Sequence, residues 1–113
     1  MPYIELKTDK KISCEIEAEL VRKFGKAIET FPGKTEKYLM VEIEGERTMA
    51  FAGGIGNCCM VSIDLLGSAA DEVYAAMTKL TCSIVSEALG IPEDRVYVKY
   101  SEYSTWGWTG INF

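Results

Sequence analysis

Two stretches far apart in the chain carry one pattern. Gly33-Lys34-Thr35-Glu36-Lys37-Tyr38-Leu39-Met40-Val41 and Gly90-Ile91-Pro92-Glu93-Asp94-Arg95-Val96-Tyr97-Val98 share G-x-x-E, a charged residue and then a β-prone run. They stand 57 residues apart, and the same shift lays Tyr3-Ile4-Glu5-Leu6 over Met60-Val61-Ser62-Ile63. Self-similarity at a fixed offset constrains a fold more than any local propensity, because one supersecondary unit must be built twice. The 113 residues therefore read as two diverged halves, and by length as one domain over 1–113.

Each half reads strand, helix, strand. In the first helix Ile16, Leu20, Phe24, Ala27, Ile28 and Phe31 recur at three- and four-residue intervals, one apolar stripe. Ser13 is placed to cap it and Pro32-Gly33 to stop it. The matching stripe in the second helix is Val73, Met77, Leu80, Ile84 and Ala88. Ser68-Ala69-Ala70-Asp71 resembles a capping box ahead of it, and Gly90 ends it. Strands are expected over 2–7, 38–44, 58–65 and 95–101, with short edge strands at 48–52 and 106–109. A strand-helix-strand unit closes by a right-handed crossover into a parallel pair. Two such units predict an α/β fold, a four-stranded sheet with both helices on one face. The bare sheet edges call for cover, and pairing with another subunit supplies it.

Composition excludes several classes. The net charge of -5 comes without a basic stripe, so nucleic acid is not an expected partner. The apolar stretches are too short to span a bilayer, and Met1-Pro2-Tyr3-Ile4-Glu5 enters an alternating strand with no signal-peptide pattern, so a cytoplasmic protein is expected. The chain has no histidine, which rules out Ser-His-Asp and Cys-His catalysis. A base working near neutral pH must then be a perturbed carboxylate, thiol, lysine or the α-amino group. Cys14, Cys58, Cys59 and Cys82 offer no C-x-x-C, and a zinc site would need thiolates and carboxylates alone. No metal or cofactor is expected.

The opening Met1-Pro2-Tyr3-Ile4, the run Met49-Ala50-Phe51-Ala52-Gly53-Gly54, the strand Asp94-Arg95-Val96-Tyr97-Val98, Gly107-Trp108 and the closing Phe113 occur in order across nearly the whole chain. In this the sequence is similar to the macrophage migration inhibitory factor group of the tautomerase superfamily. The resemblance implies a homotrimer with active sites at the subunit interfaces, each around one N-terminal proline. It implies keto–enol tautomerisation of small enolisable α-keto acids of the phenylpyruvate type. It also leaves open a leaderless secreted cytokine whose partner is a cell-surface receptor.

The resemblance assigns roles residue by residue. Pro2, freed by removal of Met1, is the catalytic base; an ordinary α-amino pKa of roughly 7.7–8.0 falls further on burial and beside a lysine. Without the resemblance Pro2 is only the start of a strand. Lys34 matches the lysine that binds the substrate carboxylate, although a lysine after a helix also favours the helix dipole. Tyr97 matches a tyrosine that reaches the site from the neighbouring subunit. Leu66 matches a residue whose backbone N–H points at the substrate. Tyr3, Tyr38, Trp106, Trp108 and Phe113 match rim or wall positions, or else pack the trimer. Lys99 stands where better-known members carry asparagine, able to grip a carboxylate, depress the Pro2 amine or block the aromatic end. Trp106 replaces a small aliphatic at the mouth. A superfamily enzyme acting on hydroxymuconate or haloacrylate ranks low, since none of Arg22, Arg47 and Arg95 matches its assisting arginines.

Overall fold

The computed structural model describes residues Met1–Phe113. The first half is β1 (Pro2–Thr8), α1 (Cys14–Ala27) and β2 (Met40–Glu44). Ser13 caps α1 as expected, its hydroxyl accepting from the Ile16 amide at 3.2 Å. Leu20, Phe24 and Ala27 of α1 are buried, and so are Ile28 and Phe31 beyond its end. A 3₁₀ turn at Ile28–Thr30 carries the stripe past the α-helix and keeps it on the sheet.

Two short hairpins and the second half follow. β3 (Ala50–Phe51) pairs only with β4 (Gly54–Ile55), and β7 (Gly107–Trp108) only with β8 (Ile111–Asn112). The segments expected as edge strands at 48–52 and 106–109 thus form separate ribbons outside the main sheet. Between them lie β5 (Cys59–Leu66), α2 (Asp71–Leu89) and β6 (Val96–Tyr103). The strand expected from residue 38 begins at Met40, because Glu36–Tyr38 winds into a 3₁₀ turn.

α2 departs from expectation at two points. Ala70, with no side-chain acceptor, occupies the cap position, so Ser68 closes no capping box; Asp71 and Glu72 place negative charge in the first turn instead. Thr81 and Val85 are buried with Met77 and Ile84, whereas Leu80 is exposed. A 3.6-residue period runs through 77, 81, 84 and 85, and Leu80 falls beside that line. Gly90 ends the helix in the left-handed region at φ 69°, its N–H reaching Ser86 O at 2.9 Å.

The main sheet has the order β2-β1-β5-β6. β1 and β2 are parallel, β5 and β6 are parallel, and the halves join through the antiparallel pair β1–β5. Ile4, Leu6, Val61, Ile63 and Leu65 are buried in one cluster with Leu20 and Phe24 of α1 and Met77, Ile84 and Val85 of α2. Full burial of each such side chain stabilises by about 1.5–3 kcal/mol. Alternate residues, among them Tyr3, Glu5, Ser62, Asp64, Tyr97 and Lys99, take the opposite face and are partly or fully exposed. Both helices therefore cover the same face, as the repeat predicts.

Candidate active site

The β1–β5 junction places the amino terminus. Pro2 is buried as the first residue of a central strand, where its missing N–H breaks no ladder, and it stands opposite Leu65. One residue on, the Leu66 N–H donates to the Met1 carbonyl at 3.2 Å. The Leu66 carbonyl accepts from Lys34 Nζ at 3.0 Å. Lys34 reaches this point because Phe31, fully buried against Tyr74, anchors the chain after α1, and the turn at Pro32-Gly33, with Gly33 at φ 79°, reverses it. Pro2, Lys34 and the backbone of Leu66 are thereby brought together.

The electrostatics at this point favour a neutral amine. Burial, then the positive charge of Lys34 and its hydrogen bond, lower the pKa of the Met1 amino group to about 6. Each cause acts on any amine at this spot, since burial and a neighbouring cation both disfavour the protonated form.

Against this point lies a cavity of about 450 Å³, lined mainly by apolar side chains that include Met1, Pro2, Tyr38, Trp106 and Trp108. Tyr38 meets Trp108 edge-on at 5.5 Å, and Trp108 lies 6.2 Å from the Phe113 ring. The Phe113 N–H donates to Trp106 O at 2.8 Å, closing the last hairpin over the start of β1. Tyr38 and Trp106 form the wall itself, while Phe113 supports it through Trp108. Lys37, to which neither motif nor resemblance assigns a role, also lines the cavity and sets its ammonium 5.4 Å from the Tyr38 ring centre. Its position beside Tyr38 in the repeated segment was the available signal.

Tyr97 and Lys99 lie elsewhere in the chain. Tyr97 is opposite Met60 and Lys99 opposite Ser62, on β6, whereas Pro2 is opposite Leu65 on the other side of β5. Five residues of strand, about 17 Å, separate Tyr97 from Pro2 along β5. Both residues are exposed, on the face away from the helices. Tyr3 is on that face too, its hydroxyl bonded to Glu42, but unlike Tyr97 and Lys99 it lines the cavity beside Pro2.

No set of three or more histidine, cysteine, aspartate or glutamate side chains is placed to hold a metal ion. Cys58 and Cys59 are buried, and burial pushes the Cys59 thiol up to about 12, far from a reactive thiolate. No helix is long and apolar enough to cross a membrane.

Known proteins share this architecture over its full length. The crystal structure of Leishmania major MIF2 superposes with a TM-score of 0.93 at 25% identity, covering 100% of this chain and 97% of that one. The macrophage migration inhibitory factor of Xenopus laevis is 26% identical over 118 residues, covering 100% of this chain and 99% of that protein. The Rattus norvegicus protein of the same name is 30% identical over 83 residues, 72% of each chain. The family described as "Macrophage migration inhibitory factor (MIF)" matches residues 1–113. The chain belongs to the macrophage migration inhibitory factor family and has the tautomerase-superfamily fold.

Proposed function

We propose that this chain is a keto–enol tautomerase for phenylpyruvate-type α-keto acids, with the Pro2 amine, freed by removal of Met1, as the base. The observation that carries the reading is the Met1 carbonyl on the Leu66 N–H, with Lys34 on the Leu66 carbonyl, next to an apolar cavity that Met1 and Pro2 line. That carbonyl oxygen stands in for a substrate oxygen. Once Met1 is cut away, the Leu66 N–H and the Lys34 ammonium face the vacated position, and the neighbouring atom is a secondary amine with a free lone pair.

The chemistry follows from those groups. The substrate carboxylate binds Lys34 and the Leu66 N–H, and the aryl group packs among Tyr38, Trp106 and Trp108. Neutral Pro2 takes a proton from the carbon next to the ketone, and the C–H electron pair becomes the C=C bond of an enolate. Lys34 stabilises the charge that develops on oxygen. Pro2 then returns the proton to that oxygen, completing an isomerisation with no net loss or gain of atoms. A homotrimer brings Tyr97 and Lys99 of a neighbouring copy to this site, since neither reaches the Pro2 of its own chain.

The test uses intact mass to follow the amino terminus. Activity on enolisable α-keto acids is expected to scale with the fraction of chains beginning at Pro2. With Met1 attached, the Pro2 nitrogen is a tertiary amide and no base, so an alanine inserted between Met1 and Pro2 is expected to abolish activity and leave thermal stability nearly unchanged. Full-rate tautomerisation by protein that demonstrably retains Met1 overturns the assignment. A second reading, a leaderless secreted ligand for a cell-surface receptor, draws support from the relatives' name as a macrophage factor. It predicts the protein in culture medium while a cytosolic marker stays inside intact cells.

A further inference from the structure

We propose that Arg95 is a positioning residue for Tyr97, acting through Phe51; the inference rests on the reading that Tyr97 serves a neighbouring subunit's Pro2. Arg95 is half-buried and has no carboxylate within ion-pair distance, although it carries five donors and a fixed charge. Its donors go to backbone carbonyls instead. Nε donates to Asn57 O at 2.7 Å, and one terminal nitrogen, Nη2, donates to Gly56 O at 2.8 Å and Gly54 O at 3.3 Å. All three belong to β4 and the loop after it, where Gly56 at φ 86° and Asn57 at φ 54° turn the chain through the left-handed region.

This clamp matters because the β3–β4 ribbon pairs with no strand of the main sheet. Arg95 holds the ribbon down, and the guanidinium carbon sits 5.3 Å from the centre of the Phe51 ring. Phe51 in turn meets Tyr97 edge-on at 4.8 Å. Tyr97 is 58% exposed, and Phe51 is the one aromatic ring packed against it. One planar cation thus fixes the end of a ribbon, a ring on that ribbon, and through the ring the tyrosine two residues further along the chain, on β6. A lysine ammonium, a single point charge on a flexible stem, cannot reproduce the fork across three carbonyls.

The experiment is a double-mutant cycle on the full chain with its amino terminus verified, using phenylpyruvate, together with the fluorine resonance of fluorotyrosine at position 97. Arg95→Lys is expected to lower kcat/KM about ten- to a hundredfold, the scale of a misplaced catalytic contact. In a Tyr97→Ala background the same substitution is expected to change kcat/KM less than about twofold. The Tyr97 resonance is expected to shift or broaden in Arg95→Lys, and Phe51→Leu to reproduce that change. Equal losses in both backgrounds, or an unaltered Tyr97 resonance, overturn the inference, because Arg95 then serves only the loop. An inactive wild-type chain whose Tyr97 resonance still responds to Arg95→Lys overturns the tautomerase reading and leaves the Arg95–Phe51–Tyr97 coupling standing.

Discussion

Lys34 and Lys99 are the same residue type in different physical situations. Lys34 is half-buried with its ammonium on the Leu66 carbonyl, next to the buried Pro2, whereas Lys99 is exposed on the open face of the sheet. Lys34→Ala is therefore expected to raise KM for an α-keto acid, costing about 1.5–3 kcal/mol of substrate binding, as for a hydrogen bond to a charged group. Lys99→Asn is expected to cost less. Steady-state kinetics of the two variants on one substrate checks the ranking, and a larger loss for Lys99→Asn reassigns the principal carboxylate ligand. The Met1 carbonyl adds a lesson that residue identity could not supply. It marks the Leu66 N–H as an available donor, and such a role is indifferent to the leucine side chain.

At the level of elements, both small hairpins turn on two residues with positive φ. These are Ala52 at 54° with Gly53 at 80°, and Thr109 at 53° with Gly110 at 81°. Two consecutive positive φ values suit the type I′ turn, whose usual marker is Asn-Gly or Asp-Gly. Ala-Gly and Thr-Gly hide that signal, which is why the sequence suggested only single edge strands there. Ala52→Asn, at an exposed site, is expected to relieve about 1 kcal/mol of left-handed strain, read as a higher urea midpoint at unchanged slope. A second element-level tie joins the end of β1 to the start of β5, where Asp9 Oδ1 accepts from the Cys58 amide at 3.0 Å. Desolvation, the largest single influence, pushes the Asp9 carboxyl up, but the amides of Cys58, Asn57 and Asp9 together hold it below its ordinary value. A depressed carboxyl contributes stability above the unfolded aspartate pKa of about 3.9 and loses it as pH falls through the folded value. The gap in Tm between the parent chain and Asp9→Asn is expected to be open at neutral pH and to narrow as the carboxyl protonates. A gap independent of pH removes Asp9 from the account.

The whole molecule leaves much for a partner to cover. β2 and β6 are unpaired on their outer sides, Met40 on β2 is 68% exposed, and Ile111 on the last hairpin is 59% exposed. Long bare edges invite pairing with another chain. Light scattering at micromolar concentration is expected to give a mass close to three chains. A monodisperse monomer defeats the trimer and the shared site together, because Tyr97 lies on the far side of β5 from its own Pro2.

How much of this was legible follows the range of the interaction involved. The Ser13 cap, the stripe from Ile16 to Phe31, the approximate bounds of the four long strands and the two parallel pairs were readable, since each rests on neighbours a few residues apart or on a repeat of such a unit. The Ser68 cap and Leu80 were misread even at short range, because which residue opens a helix and which side it buries are settled by what the helix packs against. Sequence resemblance named Pro2, Lys34 and Leu66 without saying why they meet. They meet because the two halves join through β1 and β5, antiparallel, with Pro2 facing Leu65. That join pairs residues about 60 apart, and its energy lies in burying one continuous core beneath both helices. No local pattern in the chain encodes that pairing; it exists only once the two halves have packed.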